Sequence, residues 1–540
     1  MSSNSTDAIA SESIRGGLHT GWFRFLAPSV SDLFFVVIMF SLSCGSFGSR
    51  LLGDAGIGWH IRNGEQILHT RAITRTDPFS STMGGHIWYS WEWLYDIVIA
   101  SIHHWLGLNG VALFTAIVIA TTFCLALRIA LKRGGGLPIA LLLLLIAIGA
   151  ASIHFLARPH VLSWLFAVIW FDLLESDASM PGPPSYRHLI WYPLLMLLWT
   201  NLHGGFLIGF VLVAFYSAGA AIQLIFSRKV NDAAPTRGKL RYFAMAFGLS
   251  LIASLINPFG YELYSHIYGY LGNRFLMDHI DEFLSPNFHL AAQKCFAAIL
   301  LITLVALATY RQKLNPARLL VVLFAAYSGL YSSRNLPVSA ILLVLITAPM
   351  LTANVARGAG SPEIAPRLRE LFSRLTRFSN RMNATEMSLH WHVWPVLAII
   401  LGIICAHGGK LGNHQWMNSG FSPKRFPVQA TDFIESRRVH DPIFCPDYWG
   451  GYLIYRLYPQ SKVVIDDRHD LYGENFLKQY LRVIHVTPEW SEMLDRQHVN
   501  WILVPTQSSL SSILRESPQW KPDYEDGTAE LFERLGHGTY

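Results

Sequence analysis

The residues with the most chemistry in them lie in one stretch, Gly53 to Leu94, which reads GDAGIGWHIRNGEQILHTRAITRTDPFSSTMGGHIWYSWEWL. It holds Asp54, His60, Arg62, Glu65, Asp77, His86 and Glu92, with Trp59, Trp88, Trp91 and Trp93 among them. Carboxylates take or orient protons, imidazoles pass them on, and indole rings offer flat faces for stacking. Two further groups suit an anion: Arg158, in Ala157-Arg158-Pro159-His160, and Arg334, in Ser333-Arg334-Asn335-Leu336-Pro337. A guanidinium fork matches phosphate oxygens. A long loop so rich in ionisable and aromatic side chains is the leading site candidate.

The chain that must position this loop is built for lipid. Of its 540 residues, 52% are hydrophobic and only 14% charged, where soluble domains carry about a quarter. A polytopic α-helical membrane protein is expected, with membrane lipids as surroundings and no nucleic acid as partner. Cys44, Cys124, Cys295 and Cys405 fall in apolar stretches and Cys445 stands alone, so no disulfide framework can be read. Residues 1–27 are polar and Ser-rich, and are expected to be disordered and cytoplasmic. The apolar run after them lacks an A-x-A cleavage pattern and reads as a retained span. Asn4-Ser5-Thr6 and Asn383-Ala384-Thr385 read as chance matches to the glycosylation sequon.

Apolar runs near 29–49, 108–130, 137–156, 160–175, 188–204, 205–226, 241–256, 291–309, 317–333, 336–354 and 390–408 suggest about eleven spans, each needing roughly 20 residues. A shorter run, Leu94 to Leu106, contains Asp96, His103 and His104 and suits an interfacial or re-entrant helix. Charge orients the chain. With the N-terminus inside, the inner loops collect Arg128, Lys132, Arg133, Arg228, Lys229, Arg237, Lys239, Arg311, Lys313 and the arginines from Arg357 to Arg381. The outer loops hold scattered arginines and no lysine, which is the positive-inside asymmetry. The large first outer loop, 51–107, then shares one face with RPH (158–160), WTNLHGG (199–205), NPFG (257–260), DEFLSP (281–286) and SSRNLP (332–337).

The transmembrane part is expected to run from 28 to 410. From 411 to 540 the chain becomes polar, with alternating helix and strand signals that predict a small α/β domain on the same outer side. Its expected elements are helices at 428–438, 449–458, 472–484, 488–497 and 508–516. Strands are expected at 443–445, 462–466, 501–504, 523–526 and 528–533. That length can bury its own core.

These residues resemble a family. Asp54 directly after the first span, then WHIRNGEQIL, TDPFS, WYSWEWL, RPH, WTNLHGGFLIGF, NPFG, DEFLSP and SSRNLP, look like the GT-C glycosyltransferases. The tail motifs YWGGYLIYRLYP and VVIDDRHDLY extend the likeness. The branch is the bacterial one of protein mannosyltransferase- and aminoarabinose transferase-like enzymes. The family's Asp-Glu or Asp-x-Asp pair after span one is missing here, because Ala55 and Gly56 follow Asp54. The resemblance implies transfer of a sugar from a polyprenyl-phosphate donor to a glycan, lipid or protein acceptor, at the outer face of the bacterial inner membrane.

Such a reaction needs a carboxylate for the acceptor proton, cations for the departing phosphate and a surface for the sugar. The resemblance and position make Asp54 the expected base, with Asp77 and Glu92 as further catalytic carboxylates; Asp77 equally suits a turn in Thr76-Asp77-Pro78-Phe79, and Glu92 a helix cap. Arg158, His160, His203 and Arg334 are the expected phosphate ligands. Trp59, His60, Trp91, Glu282, Asp467 and Arg468 are expected at the acceptor or sugar. No ligand spacing supports a metal site, and a divalent cation stays open as a cofactor. Two other readings compete: a transporter or flippase, and a non-catalytic scaffold of the same shell. Predicted span centres carry no Asp or Glu, which sets the chain apart from ion-coupled transporters.

Overall fold

The structure is a computed structural model that describes residues 26–226, 230–389 and 392–536. The expected disordered N-terminus, as far as residue 25, and the Asn4 sequon lie outside the described residues; Asn383 falls in the helix Pro366–Ser388.

Helices dominate. By length and composition, five described helical segments can cross a membrane: Trp93–Lys132, Leu137–His154, Gly204–Ile225, Ala291–Thr309 and Ser333–Gly360. A sixth arises if Pro366–Ser388 and Val393–Ala406, bent by 66°, count as one span. The sequence expectation of about eleven is larger, and the helices show why. Val30–Ser43 and Pro316–Tyr331 are apolar but only 14 and 16 residues long, roughly 21–24 Å at the α-helical rise. Trp191–Leu202 has 12 residues before the chain turns at His203. His160–Ser179 carries Asp172, Glu175 and Asp177 in its second half, and Val230–Ser254 carries Arg237, Lys239 and Arg241 in its first half.

The first loop is largely ordered by helix α1 (Gly56–Thr70). Ile57, Ile61, Gly64 and Ile67 share its buried face, the i, i+4, i+7 pattern of an amphipathic helix. That face lies against helix α2 (Trp93–Lys132), which fuses the Leu94–Leu106 segment with the following span. The backbone leaves helical geometry only at Gly107, φ 60°, a conformation glycine reaches without steric cost. Contact between α1 and α2 depends on Gly64: a Cβ there would sit 2.0 Å from the Asp96 carbonyl oxygen.

The tail forms a four-stranded sheet, β1 (Ile443–Phe444), β2 (Trp501–Pro505), β3 (Trp520–Glu525) and β4 (Ala529–Arg534), in the order β1-β2-β4-β3. β1 and β2 are parallel, the other pairs antiparallel. The strand expected at 462–466 is not part of this ladder. Val463 instead makes isolated bridges to Ile443 on one side and Ser80 on the other, and the Thr82 hydroxyl donates to the Val464 carbonyl at 2.7 Å. The first loop thus runs along the edge of the tail's sheet.

The tail does not bury its core alone. Trp59, Phe79 and Trp88 of the first loop pack in one cluster with Phe426, Ile443, Trp449, Tyr452, Leu503 and Leu531. Helix α3 (Asp447–Leu457) lies so close to α1 that a Cβ on Gly58 would come within 2.2 Å of the Gly451 carbonyl oxygen. Loop and tail are one structural unit.

Candidate functional site

Where loop, tail and helix ends meet there is a cleft of about 730 Å³. Its walls include eleven of the thirteen residues singled out from the sequence: Trp59, His60, Trp91, Glu92, Arg158, His160, His203, Glu282, Arg334, Asp467 and Arg468. Asp54 and Asp77 are not on its surface. Trp88, Tyr89, Ser90, Asp96, Pro159, Tyr270 and Asp470 complete the lining. Asp96 and Asp470 stand inside motifs already noted, but nothing in the sequence singles out Tyr270.

Arg158 is held from two sides. Its Nε lies 2.8 Å from Asp54 Oδ1, and its Nη2 pairs with Asp467 Oδ2. Asp54 Oδ1 also accepts the Gly56 N–H at 2.8 Å, and Asp467 Oδ1 accepts the Trp59 indole N–H at 3.0 Å. Asp54 therefore sits behind the guanidinium it orients. Burial pushes the Asp467 carboxyl up to about 7, with Arg158 opposing and Asp54 adding to the rise. Arg334 donates to Glu282 Oε1 at 2.6 Å and lies over the Phe283 ring. Burial acts to raise Glu282, but Arg334 and Arg158 outweigh it and hold the carboxyl down at about 2. His160 Nε2 is 2.8 Å from the His154 carbonyl oxygen, so it donates there.

Arg468 borders the cleft with its guanidinium already engaged by the protein. Its guanidinium pairs with Asp466 at 2.6 Å and Asp77 at 2.9 Å and lies over Trp88, with Phe79 and Trp59 close by. Asp77 in turn accepts the Phe79 and Ser80 N–H groups at 3.1 and 3.0 Å, the turn reading of Thr76-Asp77-Pro78-Phe79. Burial acts to raise the Asp77 carboxyl, but Arg468 and these donors hold it below its ordinary value. Both side chains are buried, and the pair pins the loop to the tail.

Glu92 is different again. Its carboxylate is partly open to the cleft and faces two imidazoles, His60 Nε2 at 3.7 Å and His203 Nε2 at 3.6 Å. Burial pushes its carboxyl up to about 7, against the opposing pull of His60, Arg334 and Arg158. His60 is pushed down by burial, to about 3, and is neutral at physiological pH. A carboxyl titrating near 7 suits a general base at neutral pH.

The donor set does not fit a divalent cation. Among the described residues no three His, Cys, Asp or Glu side chains converge closely enough to hold one, and Asp54, Asp467 and Glu282 are already engaged by arginines.

No family model and no curated protein sequence matches the chain. Solved structures do. The oligosaccharyltransferase of Archaeoglobus fulgidus, tethered to an acceptor peptide containing the NVT sequon, superposes with a TM-score of 0.53 at 12% identity, over 88% of this chain and 69% of that one. Its apo form gives 0.51 at the same identity and coverage. ArnT from Cupriavidus metallidurans bound to undecaprenyl phosphate gives 0.46 at 12% identity, over 93% and 98% of the two chains. The chain thus shares its fold with this oligosaccharyltransferase.

Proposed function

We propose that this chain is an integral membrane glycosyltransferase that moves a sugar from a polyprenyl-phosphate donor to a glycan, lipid or protein acceptor by a single inverting displacement. The observation that carries this reading is the cleft itself. Loops far apart in sequence bring Arg158, Arg334 and a carboxyl tuned near neutrality, Glu92, to one place between an apolar helix bundle and a polar tail. An apolar groove lined by Trp93, Leu94, Leu197, Leu198 and Ile256 opens beside the residue after Glu92, a fitting bed for an isoprenoid chain.

In this reading Arg334, with Arg158, binds the donor phosphate, and Trp59 and Trp91 face the sugar or acceptor. Glu92 takes the acceptor proton. Asp54, Asp467 and Glu282 hold the two arginines in place, and Arg468 with Asp77 is structural. His160 and His203 lie near the phosphate, and no step passes through a cation. The shorter helices cross the bilayer with the long ones, giving about eleven spans. The N-terminus is cytoplasmic and the tail lies at the outer face of the inner membrane.

The test is transfer from a radiolabelled polyprenyl-phosphate sugar in reconstituted vesicles. Arg334→Gln removes a charged hydrogen-bond donor, a loss of about 1.5–3 kcal/mol, so donor KM rises tenfold or more. An unchanged KM removes Arg334 from the phosphate site, and no transfer to any acceptor class by the wild type sinks the reading. For sidedness, Glu370→Cys and Lys521→Cys in a cysteine-free background should differ: an impermeant maleimide labels only position 521 in intact cells. Equal labelling overturns the orientation.

A further inference from the structure

The two imidazoles facing Glu92 are anchored at their far nitrogens in opposite senses. The Gly205 N–H donates to His203 Nδ1 at 3.0 Å, and Ser163 Oγ, which receives the Trp199 indole N–H, lies 2.7 Å from the same nitrogen. A ring nitrogen that accepts carries no proton, so neutral His203 has its proton on Nε2, pointed at Glu92. His60 Nδ1 lies 2.6 Å from Asp96 Oδ1, while Asp96 Oδ2 accepts the Asn63 amide at 2.6 Å. With Asp96 in its charged form, Oδ1 accepts the proton of neutral His60 at Nδ1, which leaves the Nε2 lone pair facing Glu92. Asp96 and Asn63 have no exposed surface, and His60, Ser163 and His203 are buried. The anchoring contacts of both rings are therefore buried, while His60, His203 and Asp96 also border the cleft beside Glu92.

We propose that Asp96 and Ser163 are positioning residues that act through His60 and His203 to make Glu92 a two-way proton acceptor. His203 donates to the carboxylate form and His60 accepts from the carboxylic acid form. This deepens the glycosyltransferase reading and rests on it. In the transfer step the acceptor oxygen bonds to the anomeric carbon as the bond from that carbon to the phosphate oxygen breaks, its electron pair leaving with the polyprenyl phosphate. The hydroxyl proton moves to Glu92, whose new O–H donates to His60 Nε2 until the proton passes to water. The two approaches are a few tenths of an ångström longer than hydrogen bonds, as catalytic contacts commonly are before substrate tightens them. The charged and titratable groups around Glu92 are His60 from α1, Asp96 from its own helix, His203, and Arg158 and Arg334 from two further loops.

The experiment measures two things on the full-length protein in vesicles: infrared titration of the carboxyl band that Glu92→Gln abolishes, and the pH dependence of transfer. Asp96→Asn offers His60 Nδ1 a donor, turns the Nε2 proton toward Glu92 and removes a negative neighbour. The band and the acidic limb of transfer both move to lower pH. His203→Phe removes the donor to the carboxylate and moves both to higher pH. Opposed shifts of about half a pH unit or more support the network; absent or same-sign shifts overturn it. If His203→Phe does not fold, the isosteric Asp96→Asn decides alone. The infrared titration needs no substrate, so opposed band shifts in a protein that transfers no sugar would retain the network and reject the glycosyltransferase reading.

Discussion

Glu92→Gln lowers sugar transfer by about 10²–10⁴-fold, the usual contribution of a general base, while donor binding is kept. The substitution is isosteric and preserves the approaches to His60 and His203, but an amide cannot take the acceptor's proton. In the wild type, burial holds the Glu92 carboxyl near 7. Transfer therefore rises with pH through that region as the carboxyl loses its proton, and the variant loses this acidic limb. Asp54→Asn is the informative companion. Asp54 is off the cleft surface and orients Arg158, so its loss acts through the phosphate site and raises donor KM more than it lowers kcat. If Glu92→Gln transfers sugar like the wild type while Asp54→Asn is inactive, the base is Asp54.

Arg468→Met is expected to detach the tail from the first loop. The guanidinium joins Asp77 of the loop to Asp466 of the tail, with both carboxylates buried. Removing one partner of a buried ion network leaves charge without compensation and costs about 3–5 kcal/mol. The change reads out as a lowered unfolding midpoint, and as protease cleavage between the bundle and the sheet. A variant with wild-type stability and protease resistance would show that the shared apolar core alone holds the tail. The pH dependence has a definite sign. Asp77 is held below its ordinary value, so its contribution is complete above about pH 4 and is lost as pH falls through the lowered folded value. Acid should loosen the tail; alkaline conditions up to the lysine range should not.

Much of the site was legible because helix-ending Gly and Pro residues mark where loops leave the bundle, and charge asymmetry put those loops on one face. Arg158, His203, Glu282 and Arg334 are brought together as that grouping implies. What could not be read was pairing at long range. TDPFS looks the same whether its aspartate faces substrate or Arg468, and only packing of Phe79 and Trp88 into the tail's core decides it. Asp96 was hidden for a related reason: it stands in an apolar run, and its value comes from a histidine on another helix, reached because Gly64 lacks a side chain. Fewer helices than apolar runs are long and apolar enough to cross a membrane by themselves where a run is cut short by a turn, as at His203, or diluted by acids, as at Asp172, Glu175 and Asp177.

The shared core also imposes an order on biosynthesis. Trp59 and Asp467 touch although they are 408 residues apart, so the early loop must wait for nearly the whole chain to be made before its aromatic residues find their partners. Until then Trp59, Phe79 and Trp88 are uncovered, a surface that holding chaperones recognise and proteases exploit. A chain stalled or cut before residue 467 has every proposed phosphate ligand yet no finished cleft. Completion of the cleft is thus coupled to completion of the chain.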